Sequence, residues 1–357
     1  MLALTTLLIA LSSPALPAQD RFERADGRTV HAKLINPTLA EVVLVSGEGK
    51  ESKIPAADLL DVVPAPATDL MRSGESAFVQ RDWAGAANAF SAASAEAGGA
   101  AWMPEWAALR QGEALLQWAR ADRGKAGEAA TALRKWSDAH AESFWLPRAR
   151  LAEARALVIV GDVDGATGLL QALSDLAFQR GLAKHLELEI SLERCKAFMA
   201  GKQFDVAEAR LRDLVTKEAP ADAPRGIRSR MLALRGDAQI LLGDAIAAKS
   251  GQSAATAYWE ALAHDLKATP EVRAAALVGL AVTARAAGKF REAQLQLAEV
   301  VAVLDAGQEV LARALWELAE VTAQLGDHPV PAKTYYERIL RDCPDSSFAE
   351  QAKKKVG

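Results

Sequence analysis

The sequence predicts a mainly α protein: an α-α superhelix of about seven helical hairpins over residues 69–357, preceded by a small β-barrel-like module at 19–63. Three observations carry that expectation. Small residues recur in pairs from about residue 68 to the C-terminus, and a large apolar residue stands four positions after the second of each pair. Gly or Pro punctuates the joints, and Ala, the residue of highest helix propensity, is abundant throughout. Residues 28–54 break the pattern, being rich in β-branched residues and turn signals.

Taken in order, Met1–Ala18 reads as an export signal. Leu2–Leu11 is an apolar stretch of the length of a signal core, and the small residues Ser12, Ser13, Ala15 and Ala18 follow it with Pro14 and Pro17. No other segment approaches a membrane-spanning length, so an exported protein of the periplasm, cell envelope or exterior is expected, with no integral span after signal removal. Strand-forming runs follow at Arg28–Ile35, Leu39–Val45 and Lys50–Ile54, separated by turns at Asp26-Gly27, Asn36-Pro37 and Ser46–Gly49. Leu59-Leu60 would close the unit. Residues 64–68 form a Pro-rich linker, after which Thr68 or Asp69 can cap the first helix.

Seven helix pairs follow. In the first helices the small residue is Gly74, Gly112, Ala154, Cys195, Gly236, Ala281 or Ala319. In the second helices it is Ala86, Ala129, Ala166, Ala207, Ala254, Ala293 or Ala332. Residues without bulk let antiparallel helices approach closely at their crossing. The position four residues beyond reads Phe90, Leu133, Leu170, Leu211, Tyr258, Leu297 and Tyr336, large and apolar each time and on one helix face.

Charge and motif content narrow the chemistry. The formal net charge is −4 and the pI about 5.9, so no global basic field draws the chain to nucleic acid. The five histidines are scattered without metal-ligand spacing, and neither a phosphate-binding loop nor a serine elbow is present, so no catalytic residue, metal or cofactor is assigned. Gly161–Gly165 suits an inter-helix turn better than a calcium loop. Two cysteines exclude a disulfide scaffold. Cys195 falls on a packing site and reads as a buried thiol, whereas Cys343 sits in the loop Arg341–Pro344, which leaves an exposed thiol or an intermolecular bridge open with nothing in the sequence to support either.

The pairing of Ala281 with Gly288-Lys289-Phe290-Arg291-Glu292-Ala293, and of Ala319 with Tyr335-Tyr336-Glu337-Arg338-Ile339-Leu340 and Pro344-Asp345-Ser346, resembles the tetratricopeptide repeat (TPR) family over roughly 290 residues. The terminal copy looks like repeats of cell-envelope TPR proteins. First-helix sites lie 38 (Gly74 to Gly112) to 45 (Gly236 to Ala281) residues apart, against a family period near 34, so an irregular solenoid is expected. The β-module weakly resembles small Src-homology-3-like barrels through Phe22, Asp26-Gly27-Arg28, Val42-Val43-Leu44 and Ile54-Pro55.

The TPR resemblance implies a non-enzymatic protein-interaction scaffold that holds a protein or peptide partner along a concave face lined by the first helices. Its candidate contacts are Glu75, Glu113, Arg148, Arg155, Lys196, Asp237, Arg285, Trp316 and Glu320, with Arg148, Arg155 and Lys196 forming a central basic patch between acidic ends. A second reading starts from the tryptophans crowded at Trp83, Trp102, Trp106, Trp118, Trp136 and Trp145. If Trp102 or Trp106 were exposed, the β-module and first repeats could recognise a cell-wall glycan.

Overall fold

The computed structural model describes residues 19–96, 99–326 and 330–357. The apolar leader at 1–18 lies outside the described residues, as do Asp327 and His328.

The N-terminal part forms five strands: β1 (Asp20–Arg24), β2 (Thr29–Pro37), β3 (Glu41–Val45), β4 (Glu51–Pro55) and β5 (Leu59–Val63). They make one antiparallel sheet in the order β4-β3-β2-β1-β5. At the β1–β2 turn Gly27 takes φ +85°, and Asp26 accepts the Arg28 N–H at 2.9 Å. Phe22, Leu34, Val42 and Val62 are buried on one side of the sheet. Three expectations need correction. The strand around Phe22 and the strand at 59–63 add to the three foreseen, and Asn36-Pro37 ends β2 at a bulge rather than forming a separate turn. The sheet is also not closed into a barrel, since β4 and β5 are its two edges. Closure is unnecessary here because helices cover the apolar face.

Helices fill the remainder as hairpins. The first four are α1 (Asp69–Val79) with α2 (Trp83–Ala95), α3 (Met103–Ala121) with α4 (Ala126–Ala139), α5 (Leu146–Val160) with α6 (Val163–Arg180), and α7 (Lys184–Ala200) with α8 (Phe204–Leu214). Three more are α9 (Arg225–Ser250) with α10 (Thr256–His264), α11 (Pro270–Ala286) with α12 (Phe290–Ala302), and α13 (Gln308–Leu325) with α14 (Ala332–Asp342). A short α15 (Ala349–Val356) ends the array.

Local chemistry sets the boundaries. Thr68, Asp82, Asp162 and Thr269 cap α1, α2, α6 and α11 through their side chains, while Pro147 and Pro270 begin α5 and α11. Gly161, left-handed at φ +99°, ends α5. Gly161 and Asp162 thus form the inter-helix turn, and Val163–Gly165 open α6.

Small residues do what their spacing suggested. A Cβ on Gly74 would lie 2.6 Å from the Phe90 ring, and one on Gly112 would lie 2.6 Å from Leu133 Cδ2, so only glycine admits those knobs. The fifth hairpin departs from the expected register. Ala254 is exposed, and Gly236 faces Val272 of the next repeat rather than its own second helix. The true pair is Gly243 and Ala255, with Trp259 as the knob: a Cβ on Gly243 would overlap the Trp259 ring. Gly243 to Ala255 spans twelve residues, as do Gly74 to Ala86, Ala154 to Ala166, Cys195 to Ala207 and Ala281 to Ala293. Two additional turns at the start of α9 displaced the pattern. Cys195 is buried as expected, but Cys343 is buried too, packed among Tyr336, Ile339 and Ala352.

The sheet is bolted to the first helices. Trp102 and Trp145 donate their indole N–H groups to the carbonyls of Leu34 and Val62, each at 3.0 Å. Further along, Ile227 N–H at the start of α9 reaches the Ala25 carbonyl at 3.2 Å. Gly226 allows that approach, because a Cβ there would stand 2.7 Å from the same oxygen. One continuous apolar cluster joins Phe22, Leu34 and Val42 to Trp106, Trp145 and Leu170.

Candidate functional site

Residues three, four and seven apart on a helix share a face, so the first helices present rows of charge on one side. The hairpin stack then sets each row against the next. Arg110 on α3 grips Glu75 on α1 through two hydrogen bonds of 2.9 and 2.8 Å. Arg148 on α5 holds Glu113 on α3 in the same way, at 2.5 and 3.0 Å. Arg155 reaches Glu193 on α7 at 2.9 Å and Glu189 at 3.9 Å, while Lys196 also pairs with Glu193, at 3.0 Å. A ladder of alternating charge therefore runs from α1 to α7. Burial pushes the carboxyls of Glu113 and Glu193 up, but the adjoining cations outweigh it and hold both below the ordinary carboxylate value.

This corrects the central basic patch. Arg148, Arg155 and Lys196 share one face as expected, yet Glu113, Glu189 and Glu193 neutralise them across the repeats. Further along, Arg285 lies 2.8 Å from Glu317 of α13, and Glu320 accepts the Tyr336 hydroxyl at 2.6 Å. Trp316 is half-buried against Tyr336 and Phe348, with the Lys355 ammonium 5.7 Å from its ring. Asp237 is exposed and forms no ion pair among the described residues. The expected contacts are thus one charged face with two distinct ends, rather than one cluster.

The tryptophans also need correction. Trp102, Trp106, Trp136 and Trp145 are buried, because they join repeats to one another and to the sheet. Neither Trp102 nor Trp106 is an exposed anchor. Only Trp83 and Trp118 of this group are half-exposed.

Those two border a wide opening. The array curls until its C-terminal segment faces the first four hairpins, and Arg81 pairs with Asp345 at 2.9 Å. Between them lies a chamber of about 1190 Å³. One wall carries Trp118, Arg120, Arg155, Val158 and Lys196, and the other Leu340, Ser347, Glu350 and Lys353. Six basic residues line it (Arg81, Arg120, Arg123, Arg155, Lys196, Lys353) against four acidic ones (Glu193, Glu309, Asp345, Glu350). This is a positive interior in a chain whose acids outnumber its bases by 46 to 42. Neither Arg120 nor Arg123 forms an ion pair among the described residues. Burial and the like charge of Arg155 outweigh the carboxylates of Glu193 and Glu309 and hold the Arg120 guanidinium below its ordinary value.

Sequence reasoning missed Arg120, Arg123 and Lys353. The superhelical curl brings them together across more than two hundred residues of chain, and no local pattern encodes that. Among the described residues, no group of His, Cys, Asp and Glu is arranged to hold a metal ion, and no helix is long and apolar enough to cross a membrane.

No family profile matches the sequence, and no curated protein matches it. Solved structures similar to it include NprR in complex with its cognate peptide NprX, at 13% identity, 80% coverage of each chain and TM-score 0.44. The nearly identical TPR-like repeats of a Podosopora anserina kinesin light chain match at 22% identity, covering 59% of this chain and 97% of that one, with TM-score 0.34. The APC/C hetero-tetramer Cut9-Hcn1 matches at 14% identity over 76% and 65%, with TM-score 0.30. From the packing of their helices, the described residues form a TPR-like α-solenoid of seven hairpins and a terminal helix, carrying an N-terminal antiparallel sheet.

Proposed function

We propose that this protein is a non-enzymatic interaction scaffold of the cell envelope, and that its chamber captures an acidic, extended segment of a partner protein. The observation that carries the reading is the chamber itself. It is positive, it holds two cations without carboxylate partners, and the half-exposed rings of Trp83 and Trp118 border it. An acidic segment would supply the missing counter-charges, and its apolar side chains would cover Val158, Ile159 and Leu340. Export is proposed from the apolar Leu2–Leu11 stretch and the small residues behind it.

The test uses two short fluorescent peptides of equal apolar content, one rich in Asp and Glu and the other in Lys and Arg. Saturable anisotropy with the acidic peptide alone is expected, weakening as salt rises. The double variant Arg120→Glu with Arg123→Glu breaks no ion pair, so its fold should persist while affinity falls at least about tenfold, or about 1.4 kcal/mol. Equal affinity in the double variant, or preference for the basic peptide, would refute the assignment.

A further inference from the structure

The two edges of the sheet differ. At β5 the Val62 carbonyl accepts the Trp145 indole N–H at 3.0 Å, and the Val62 N–H goes to the Asp61 carboxylate at 2.8 Å, so the protein's own side chains occupy that edge. At β4 they do not. β3 and β4 run antiparallel with Val42 opposite Ile54 and Leu44 opposite Ser52. On the same register the Ser46 N–H reaches the Lys50 carbonyl, and the Ala56 N–H the Ala40 carbonyl. Hydrogen-bonded pairs alternate along such a ladder, so Ser52 and Ile54 turn their backbone groups to β3, while Glu51 and Lys53 turn theirs outward. Among the described residues no hydrogen bond reaches those outward groups. Both side chains are exposed. Glu51 forms no ion pair among the described residues, and Lys53 meets Glu41 at 2.9 Å with most of its side chain still in solvent.

An unpaired edge is a template for another strand, and a lysine on it ordinarily repels one. Here Glu51 stands two positions from Lys53, and the edge complements itself. Two β4 strands can pair antiparallel about Glu51, Ser52 or Lys53. Centred on Glu51 or on Lys53, the pairing sets like charges face to face, which costs stability. Centred on Ser52, it sets Glu51 of each copy opposite Lys53 of the other, and every outward N–H and carbonyl of these two residues is then bonded. Lys53 would stand between its own Glu41 and Glu51 of the second copy. Pro55 lacks an N–H and would fall opposite Gly49, whose own N–H is held by the Ser46 carbonyl at 2.9 Å, so the ladder ends there without loss.

We propose that two copies of this chain join by antiparallel pairing of their β4 strands, centred on Ser52, so that one sheet runs across the dimer. Strands of five residues bury little beside the roughly 1,200 Å² of a stable complex, so the association is weak and reversible. It shares no residue with the acidic-segment chamber.

The test is sedimentation equilibrium of the full chain, with an oxidative trap for so weak a contact. Wild type should gain mass reversibly as its concentration rises. Glu51→Lys and Lys53→Glu change exposed side chains, so both should fold and still bind the acidic peptide. Each alone should self-associate at least about tenfold more weakly, because it sets like charges opposite. Mixed in equal amounts they should recover a heterodimer, since each supplies the charge the other lacks. In this register Ser52 faces its copy with Cα atoms about 4.5 Å apart, within the range a disulfide spans. Under mild oxidation Ser52→Cys should therefore bridge, and Glu48→Cys on the adjoining exposed turn should not; the native Cys195 and Cys343 are buried and stay silent. Arg120→Glu with Arg123→Glu should dimerise like wild type, so each proposal can fail alone. A mass that stays monomeric up to the solubility limit, unchanged association in either charge variant, no recovery in the mixture, or equal bridging by both cysteine variants overturns the proposal. So does a monomeric wild type that takes up an unrelated strand-forming peptide on β4, because the edge would then serve another partner.

Discussion

The first four hairpins and the last three are held together by different means. From α1 to α8 the first-helix ends are covered by the sheet, pinned by the Trp102 and Trp145 hydrogen bonds and tied by the ion-pair ladder from Glu75 to Lys196. From α9 to α14 the sheet reaches the array at the start of α9, where the Ile227 N–H meets the Ala25 carbonyl, and beyond that close packing takes over: Trp259 seats against Gly243 and Gly279, and Ala281, Ala293, Ala312, Ala314 and Ala319 are buried. A polar, partly buried ladder depends on every member being paired. A packed seam depends only on volume. Damage to the first half should therefore spread to the sheet, whereas damage to the second should stay within one hairpin.

The largest expected effect comes from Trp145→Ala. This ring is 1% exposed, stands 4.9 Å from Trp106, and anchors β5. A loss of about 3–5 kcal/mol is expected in urea unfolding, together with faster proteolysis at the 64–68 linker as the sheet undocks. Trp259→Ala should cost a similar amount without exposing that linker. If both variants release the sheet equally, the contrast between the halves is wrong.

Glu113→Gln comes next. Its carboxylate is shared by Arg110 and Arg148, so about 2 kcal/mol should be lost near neutral pH. Because those arginines hold the folded carboxyl below its unfolded value despite burial, the contribution is full above the unfolded pKa and is lost as pH falls through the folded one. The gap between wild type and variant should close on titration from about pH 6 to about pH 3; a constant gap would mean that Glu113 acts by packing alone.

Smaller is Gly243→Ala, which overpacks against Trp259 and should cost about 1–2 kcal/mol net of its helix-propensity gain. Gly236→Ala has its nearest side-chain atom, Val272 Cγ2, at 3.1 Å, and should be neutral or stabilising by up to about 1 kcal/mol. The opposite ranking in thermal melts would restore the register expected from sequence. The smallest effect belongs to Arg81→Ala. Its pair with Asp345 is solvent-facing, so stability should change by less than about 1 kcal/mol. Scattering should still register any loosening between the C-terminal segment and the first hairpin.

Much of the fold is legible in the sequence because hairpin packing is local. Gly74 meets Phe90 within one repeat, so a fixed spacing records the contact. The fifth hairpin shows where that logic stops. Gly236, Ala254 and Tyr258 satisfy the pattern by composition, but α9 carries Gly226, Gly236 and Gly243, and only the fit of Trp259 picks out Gly243. The sheet was legible where β-branched runs announced it, and not at β1, whose charged residues alternate around Phe22 alone.

The functional surface was harder. Glu75, Glu113, Arg148, Arg155 and Lys196 do share a face, because position on a helix fixes direction. Their pairing across repeats depends on the next helix in space, as does the gathering of Arg120, Arg123 and Lys353 around the chamber. Trp102 and Trp145 look alike in sequence whether they serve a ligand or the protein's own sheet. The Leu34 and Val62 carbonyls, distant in the chain, decide the matter.

The most direct test is photo-crosslinking of the acidic peptide, bearing one benzophenone, to the full chain, followed by mass-spectrometric mapping. The account predicts adducts within 117–123 and 344–353, the two walls of the chamber, competed away by unlabelled acidic peptide. Competable adducts confined to α6, α8 or α12 would contradict it.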